Sequence, residues 1–330
     1  MKSALFYEYP SVEGDVFGHG SRERIAAITD LYPHVVTAGN FDQHTTALAE
    51  VEVIFATWGM FRFDEQHFKA MPRLRAVFYA AGNVKAFAEP LIDRGVLLVS
   101  AWQANAIPVA EMCLAQILLS LRGYFRATRQ YRVQKSFAAK QFARPGVQDA
   151  TVAMIGMGKI GTRLTQLLQD YPLRVIAFDP YLSAEQAATL NVELVSLEQV
   201  FGDAMVVCNH IPDLPTTRGV LNRSHFAVMP EGATFINTGR GAQVIERDLI
   251  EVLTNRPDLT ALLDVTWPEP PAAESPLWQL PNVVISPHIG GTTGNEVVRL
   301  IELVVTEFEA WQADKPLTHQ VTSKILATMG

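Results

Sequence analysis

Thr151-Val152-Ala153-Met154-Ile155-Gly156-Met157-Gly158-Lys159-Ile160-Gly161 joins an apolar, strand-like run to three glycines, and a helical pattern follows from Gly161 to Leu168. In the order Gly-x-Gly-x-x-Gly each glycine has its own mechanical task. The first makes a tight strand-to-helix turn, the second lets backbone approach a pyrophosphate, and the third lets helix pack on strand. The unpaired N–H groups of the helix start, around Lys159 and Ile160, then receive phosphate charge. Asp179 closes the next apolar run, 18 residues past Gly161. A carboxylate at that distance accepts the hydroxyls of an adenosine ribose and repels a 2′-phosphate. The stretch therefore predicts a dinucleotide-binding unit that prefers NAD.

Strand-like runs continue downstream at 175–178, 205–208, 234–236, 259–263 and 283–286, which with 152–155 makes six, before a final amphipathic helix over 293–311. Upstream, runs at 4–7, 53–56, 76–79 and 96–99 alternate with helical patterns, the first near 22–31. This βα rhythm predicts a second parallel sheet covered by helices. Between the two lies a helix predicted over 106–129, with Asn105 as N-cap and Pro108 in the first turn, and then a polar connection over 137–148. The fold class is α/β with two doubly wound parallel-sheet domains. Active residues are expected at strand carboxyl ends.

At 330 residues the chain exceeds one ordinary domain, and with 48% hydrophobic and 18% charged residues it has a globular balance. A net charge of −7 without a Lys/Arg-rich stripe argues against nucleic acid as a partner. Arg122, Arg126, Arg129, Arg132 and Lys135 recur along one helical stretch and read as a solvated face. Cys113 and Cys208 sit in apolar runs as small hydrophobes without metal-ligand spacing, so no metal is predicted. Two such thiols, with no secretory apolar region near Met1, predict a reducing, cytoplasmic setting. The longest apolar run, 112–121, is interrupted by Gln116 and Ser120 and is too short to span a bilayer, so no membrane role is predicted.

Chemistry-bearing residues cluster just after predicted strands. Asn237-Thr238-Gly239-Arg240-Gly241 presents Arg240 on a turn, where a guanidinium can fork onto the carboxylate of a 2-oxo or 2-hydroxy acid. Asp264 ends the next strand, and Glu269 follows between Pro268 and Pro270 on a stiff loop. Ser286-Pro287-His288-Ile289-Gly290-Gly291 places a histidine where it can exchange a proton, with Glu269 as its carboxylate. His210, at the end of another strand, is the competing base.

Taken in order, these segments resemble the D-isomer-specific 2-hydroxyacid dehydrogenases, a family that includes D-lactate, glycerate, formate and phosphoglycerate dehydrogenases. The carriers are the glycine fingerprint with Asp179, Asn209-His210-Ile211-Pro212 through Thr216-Thr217-Arg218-Gly219, Asn237 to Gly241, Leu263-Asp264-Val265 with Glu269, and Ser286 to Gly291. The resemblance implies that Arg240 binds substrate, His288 is the acid/base, Glu269 supports its protonation and Asp264 holds the nicotinamide carboxamide. It implies cofactor contacts from Gly156, Gly158, Lys159, Ile160, Gly161, Asp179, His210, Pro212, Thr216, Thr238, Gly290 and Gly291. Ala80-Ala81-Gly82-Asn83 matches the loop whose N–H groups receive the substrate carboxylate. The family also places a Rossmann NAD-binding domain, here 103–289, as an insertion in a flavodoxin-like catalytic domain, here 1–102 and 290–330. It implies a homodimer through helix 106–129.

The expected activity is hydride transfer between NAD and a small 2-oxo or 2-hydroxy acid. Where a phosphorylated substrate would need a cation, Thr57-Trp58-Gly59-Met60 offers Trp58 and Met60, which disfavours phosphoglycerate. Trp267 stands where many relatives carry an acid. Two alternatives share this motif set: an NAD(H)-sensing binding protein similar to the C-terminal-binding-protein corepressors, and a formate- or phosphite-type dehydrogenase.

Overall fold

The computed structural model describes residues 1–9 and 14–329, and the chain divides into two compact units, Met1–Asn105 with Thr292–Met329, and Ala106–Gly291. The crossings fall a few residues beyond the expected 102/103 and 289/290. The first lies inside a helix, Trp102–Leu121, so helical structure runs through it.

The first unit carries a five-stranded sheet of β1 (Lys2–Phe6), β2 (Asp30–Val36), β3 (Val53–Ala56), β4 (Ala76–Tyr79) and β5 (Leu97–Ser100), all parallel, in the order β2-β1-β3-β4-β5. This is the flavodoxin-type order. β2 was not expected. It contains Pro33, which donates no ladder hydrogen bond, and it lies at the sheet edge where that omission is tolerated. Its opening residues also shorten the expected helix over 22–31 to Ser21–Ile28. Alternate side chains serve opposite layers: Phe6, Ile54, Val77 and Leu98 enter one core, while Leu5, Phe55, Phe78 and Val99 enter the other with Phe308 of helix Val298–Gln312.

The second unit carries seven parallel strands: β6 (Thr151–Ile155), β7 (Arg174–Phe178), β8 (Glu193–Leu194), β9 (Val206–Asn209), β10 (Thr234–Asn237), β11 (Thr260–Leu263) and β12 (Val283–Ile285). Their order is β12-β11-β10-β9-β6-β7-β8. The chain reverses direction across the sheet between β6 and β9, the switch point of a Rossmann sheet. The seventh strand, β8, has two exposed residues and so carries no periodic signal. Val152, Met154, Cys208, Ile236 and Leu262 face one core, and Ala153, Ile155, Val207, Phe235 and Leu263 the other.

The long helix departs from expectation at both ends. Asn105 is not its N-cap, because the Asn105 N–H already donates to Ala101 as part of the ladder, leaving Pro108 inside the helix. The Asn105 side-chain oxygen instead accepts from the Thr292 N–H and hydroxyl at 2.9 and 2.8 Å. The helix ends at Leu121, not at 129. Gly123 adopts a left-handed φ of 62° with the Phe142 carbonyl 2.1 Å from where a Cβ would stand, and a second helix, Tyr124–Gln134, follows.

That second helix is not simply a solvated basic face. Arg129 donates to the Pro257 and Pro281 carbonyls, and Arg126 stacks over Phe142 and pairs with Glu231 at 3.1 Å. Within Trp102–Leu121 an 18-residue stretch, unlike the run over 112–121, has the length and mean hydropathy (1.5) to cross a membrane, and 50% of that stretch is buried inside the protein. Ala110, Cys113, Ile117 and Leu121, spaced as one helix face, fill the core beside the sheet.

Cys113 and Cys208 are both buried and unbridged, and burial pushes the Cys113 thiol up to about 12 and raises Cys208 as well. Since the thiolate is the reactive form, neither thiol should react with iodoacetamide in the native protein, while both should react in denaturant. Thiol counting by mass spectrometry checks this, and native labelling at the denatured rate would contradict the burial.

Candidate active site

One row of partnered residues crosses the second sheet: Ile155 opposite Asn209, Asn209 opposite Asn237, Asn237 opposite Leu263 and Leu263 opposite Ile285. The next residue along each strand opens a loop. Gly156, His210, Thr238, Asp264 and Ser286 therefore emerge side by side from one edge.

The three fingerprint glycines differ in their surroundings. Gly156 has φ +91° and lies against His210 and Ile211, so no other residue fits the turn without strain. A Cβ on Gly161 would stand 2.3 Å from the Gly156 carbonyl. At Gly158 it would meet nothing within 4 Å. That open side is the space a pyrophosphate needs, and the helix Lys159–Leu168 that begins there has no side-chain cap on its first N–H groups. Asp179 stands beside the loop, with one oxygen accepting the Met157 N–H at 2.6 Å and the other the Tyr181 N–H at 2.8 Å. Each oxygen keeps a lone pair for a ribose hydroxyl. Pro212 and Thr216 lie on the loop after β9, with Thr216 exposed. His210 pairs through Nδ1 with the Thr238 hydroxyl at 3.0 Å, and its Nε2 is buried without a hydrogen-bond partner. An uncapped helix start, an open glycine face, a ribose-distance carboxylate and an orphaned buried nitrogen fit NAD.

Arg240 stands on a loop clamped from both sides. The place of a Cβ on Gly241 is 1.9 Å from Thr266, and that on Gly239 is 2.7 Å from Gln243 Oε1 and 2.9 Å from Asn209 Nδ2. Its Nη1 donates to the Gly239 carbonyl at 2.6 Å. Burial draws the guanidinium pKa down from its usual value, opposed by the charges of Glu269 and Asp213, and a guanidinium so placed stays cationic.

Glu269 and His288 meet: Glu269 Oε1 lies 2.5 Å from His288 Nδ1. The histidine has a left-handed φ of 54°, uncommon for a side-chain-bearing residue. Asp264 holds it there. The Asp264 carbonyl accepts the His288 N–H at 3.1 Å, while its buried carboxylate accepts Ser286 Oγ at 2.6 Å, the Ile289 N–H at 2.9 Å and the Gly290 N–H at 2.8 Å. A Cβ on Gly290 would lie 2.8 Å from that carboxylate, so a side chain there would displace it. The resemblance assigns Asp264 to the nicotinamide; the structure adds the pinning of the histidine loop, to which the Ser286 hydroxyl contributes. Gly291 ends the segment. Trp267 is exposed, with the Arg218 guanidinium 5.8 Å over its ring.

The remaining site residues of the sequence reading belong to the first unit. Ala81, Gly82 and Asn83 follow β4, where the Ala81 and Gly82 carbonyls accept from Ser100 Oγ at 2.9 and 2.6 Å and Asn83 Oδ1 accepts the Lys85 N–H at 2.8 Å. Trp58 follows β3 and is half-buried. Met60, paired with Trp58 in the reading of substrate preference, is a core residue at 8% exposure.

A model described as the D-isomer specific 2-hydroxyacid dehydrogenase, NAD binding domain, matches residues 114–290. D-3-phosphoglycerate dehydrogenase of Mycobacterium bovis is 32% identical over 231 residues, which is 70% of this chain and 43% of that protein, so the chain spans less than half the length of this relative. Among solved structures, a phosphoglycerate oxidoreductase from Rhizobium etli superposes with a TM-score of 0.81 at 20% identity, covering 97% of this chain and 98% of the other. D-2-hydroxyisocaproate dehydrogenase superposes with a TM-score of 0.78 at 20% identity, covering 98% and 100%. The family model covers more than half of the chain, including the loops after β6 and β9–β11 and the loop after β12 as far as Gly290, and the chain belongs to the NAD-dependent D-isomer-specific 2-hydroxyacid dehydrogenases.

Proposed function

We propose that this protein interconverts a small, unphosphorylated 2-oxo acid and its D-2-hydroxy acid with NAD(H). The observation that carries this reading is the Glu269–His288 pair at 2.5 Å, with the Glu269 charge also acting on Arg240. When bound, the cofactor supplies a hydride to the carbonyl carbon. Arg240 binds the substrate carboxylate through its planar donors and polarises the neighbouring carbonyl. His288, oriented through Nδ1 by Glu269, gives its Nε2 proton to the carbonyl oxygen in reduction and removes it in oxidation. For Trp58 and the Ala81-Gly82-Asn83 loop the support is the family resemblance. The homodimer is proposed on the same resemblance together with the exposed Leu119, Tyr124, Tyr131, Val133 and Phe137 along and after the two consecutive helices.

His210 is the weaker acid/base. Burial lowers its pKa from 6.5 to about 4, so its ring is neutral near pH 7 and has no proton to give as an imidazolium.

The test of the reaction is a panel of pyruvate, phenylpyruvate, hydroxypyruvate, phosphohydroxypyruvate and glyoxylate with NADH, and of formate with NAD. An unphosphorylated 2-oxo acid should give the highest kcat/KM. Phosphohydroxypyruvate as the best substrate would overturn the substrate class, and no turnover with any member would favour a sensing role. His288→Gln should lose roughly two to four orders of magnitude in kcat. Arg240→Lys should lose most kcat/KM while NADH binding, followed by fluorescence, stays near wild type. An active His288→Gln enzyme would move the acid/base role elsewhere.

His210, with its Nε2 buried, also makes a pH prediction. Its folded pKa lies below its unfolded value, so the unfolded chain takes up the proton first as pH falls. The stability contribution is present above about 6.5 and is lost as pH falls toward about 4. Urea midpoints near pH 7 and pH 4.5 should therefore differ less in His210→Gln than in wild type, and an equal difference would show that this ring does not titrate in the folding transition.

A further inference from the structure

Gln243 lies outside every motif that suggested function, yet it is fully buried beside the substrate arginine. Its oxygen accepts two hydrogen bonds, from Asn209 Nδ2 at 2.6 Å and from the Arg240 N–H at 3.0 Å. Its nitrogen donates to the Ile211 carbonyl at 2.5 Å. The two loops so joined are the one that presents Arg240 and the one after β9 that lines the glycine turn.

The surrounding amides leave no freedom in this arrangement. Asn209 Nδ2 spends its two hydrogens on Gln243 Oε1 and on Asn237 Oδ1, the latter at 3.0 Å. Asn237 Oδ1 also accepts the Gly239 N–H at 3.1 Å. Turning the Gln243 amide over would set donor against donor at both Asn209 and Arg240. Asn209 and Asn237 are buried as well, so each bond replaces one that water would otherwise make. Gly239 lies flat on this cluster, its missing Cβ within 3 Å of both Gln243 and Asn209. A side chain at this position would push the two amides apart.

We propose that Gln243 is a positioning residue for Arg240: through one primary amide it fixes the backbone of the substrate arginine and sets it against the cofactor-lining loop at Ile211. The catalytic half of this proposal rests on the reading of Arg240 as the carboxylate-binding group. It predicts that Gln243 matters to turnover through Arg240.

A double-mutant cycle on the full-length protein tests that dependence. Gln243→Leu, similar in volume but unable to hydrogen-bond, should lower kcat/KM for the best 2-oxo acid about 10- to 100-fold with Arg240 present, mainly through a raised KM for the acid. In the Arg240→Lys background the same change should cost less than about threefold. Equal losses in the two backgrounds would make Gln243 an ordinary structural residue and overturn the proposal. Gln243→Glu covers the case in which the leucine variant does not fold. As a carboxylic acid it can accept from Asn209 and Arg240 and donate to Ile211, whereas its anion cannot donate. Its kcat/KM relative to wild type should therefore recover as pH is lowered, and a ratio that does not change with pH would count against the proposal. A readout free of substrate separates this from the reading it rests on. Hydrogen exchange of the peptide over 238–242 should rise in Gln243→Leu while strand β10 keeps its protection. Raised exchange in a protein whose wild type reduces no 2-oxo acid would sink the substrate reading alone, and unchanged exchange would sink the positioning role.

Discussion

The shared level at which five parallel strands end is the constraint on which the site depends. Ile155, Asn209, Asn237, Leu263 and Ile285 form one row across the sheet, so the groups that follow them emerge as neighbours although the chain separates the first and last by 130 residues. Register in such a sheet is held by burial on both faces. Sliding β10 by one residue would exchange Phe235 and Ile236 between two filled cores, and Arg240 would leave its place with them. Precision at the edge is thus a consequence of packing in the middle.

Beyond the sheet edge the loops keep a few apolar anchors, such as Met157, Ile211 and Val265, and buried polar groups tie them to one another. Asp264 gathers a hydroxyl and two N–H groups of the histidine loop on one carboxylate, and Gln243 joins two other loops through one amide. An unsatisfied buried amide or carboxylate costs on the order of 1–3 kcal/mol or more. Each such group therefore penalises any loop arrangement that breaks its set. The glycines belong to the same device: Gly239 and Gly290 bring backbone within reach of Gln243 and Asp264, at distances a Cβ would forbid.

Much of this was legible in the sequence because its signals are local. A strand of four or five buried residues, a three-glycine turn and an arginine, aspartate or histidine immediately after a strand can each be read without knowing what packs against them. The misses share the opposite character. β2 carries Pro33, which reads against a strand until its edge position is known, and β8 is too short to show a period. The break at Gly123 depends on the Phe142 carbonyl, and the Arg126 and Arg129 contacts on carbonyls and an acid more than a hundred residues away. Gln243 was missed for the same reason. Its partners at 209, 211 and 240 come together only when β9 and β10 pair.

The backbone beneath the two chemical side chains shows why such anchoring is needed. His288 occupies a left-handed conformation that costs a non-glycine residue roughly 1–3 kcal/mol. It persists because the Asp264 carbonyl and carboxylate fix the N–H groups of residues 288, 289 and 290 in succession. In that geometry Nδ1 points to Glu269, which leaves Nε2 as the ring nitrogen for the proton transfer proposed above. Arg240 is likewise a partly buried cation whose own loop gives Nη1 a single carbonyl. A group that must stabilise charge on a substrate acts best when its dipoles and donors are already in place, since reorganising them during the reaction would consume the advantage. The carboxylate at 264 and the amide at 243 each hold one of these groups in place, and neither needs to touch substrate to do so.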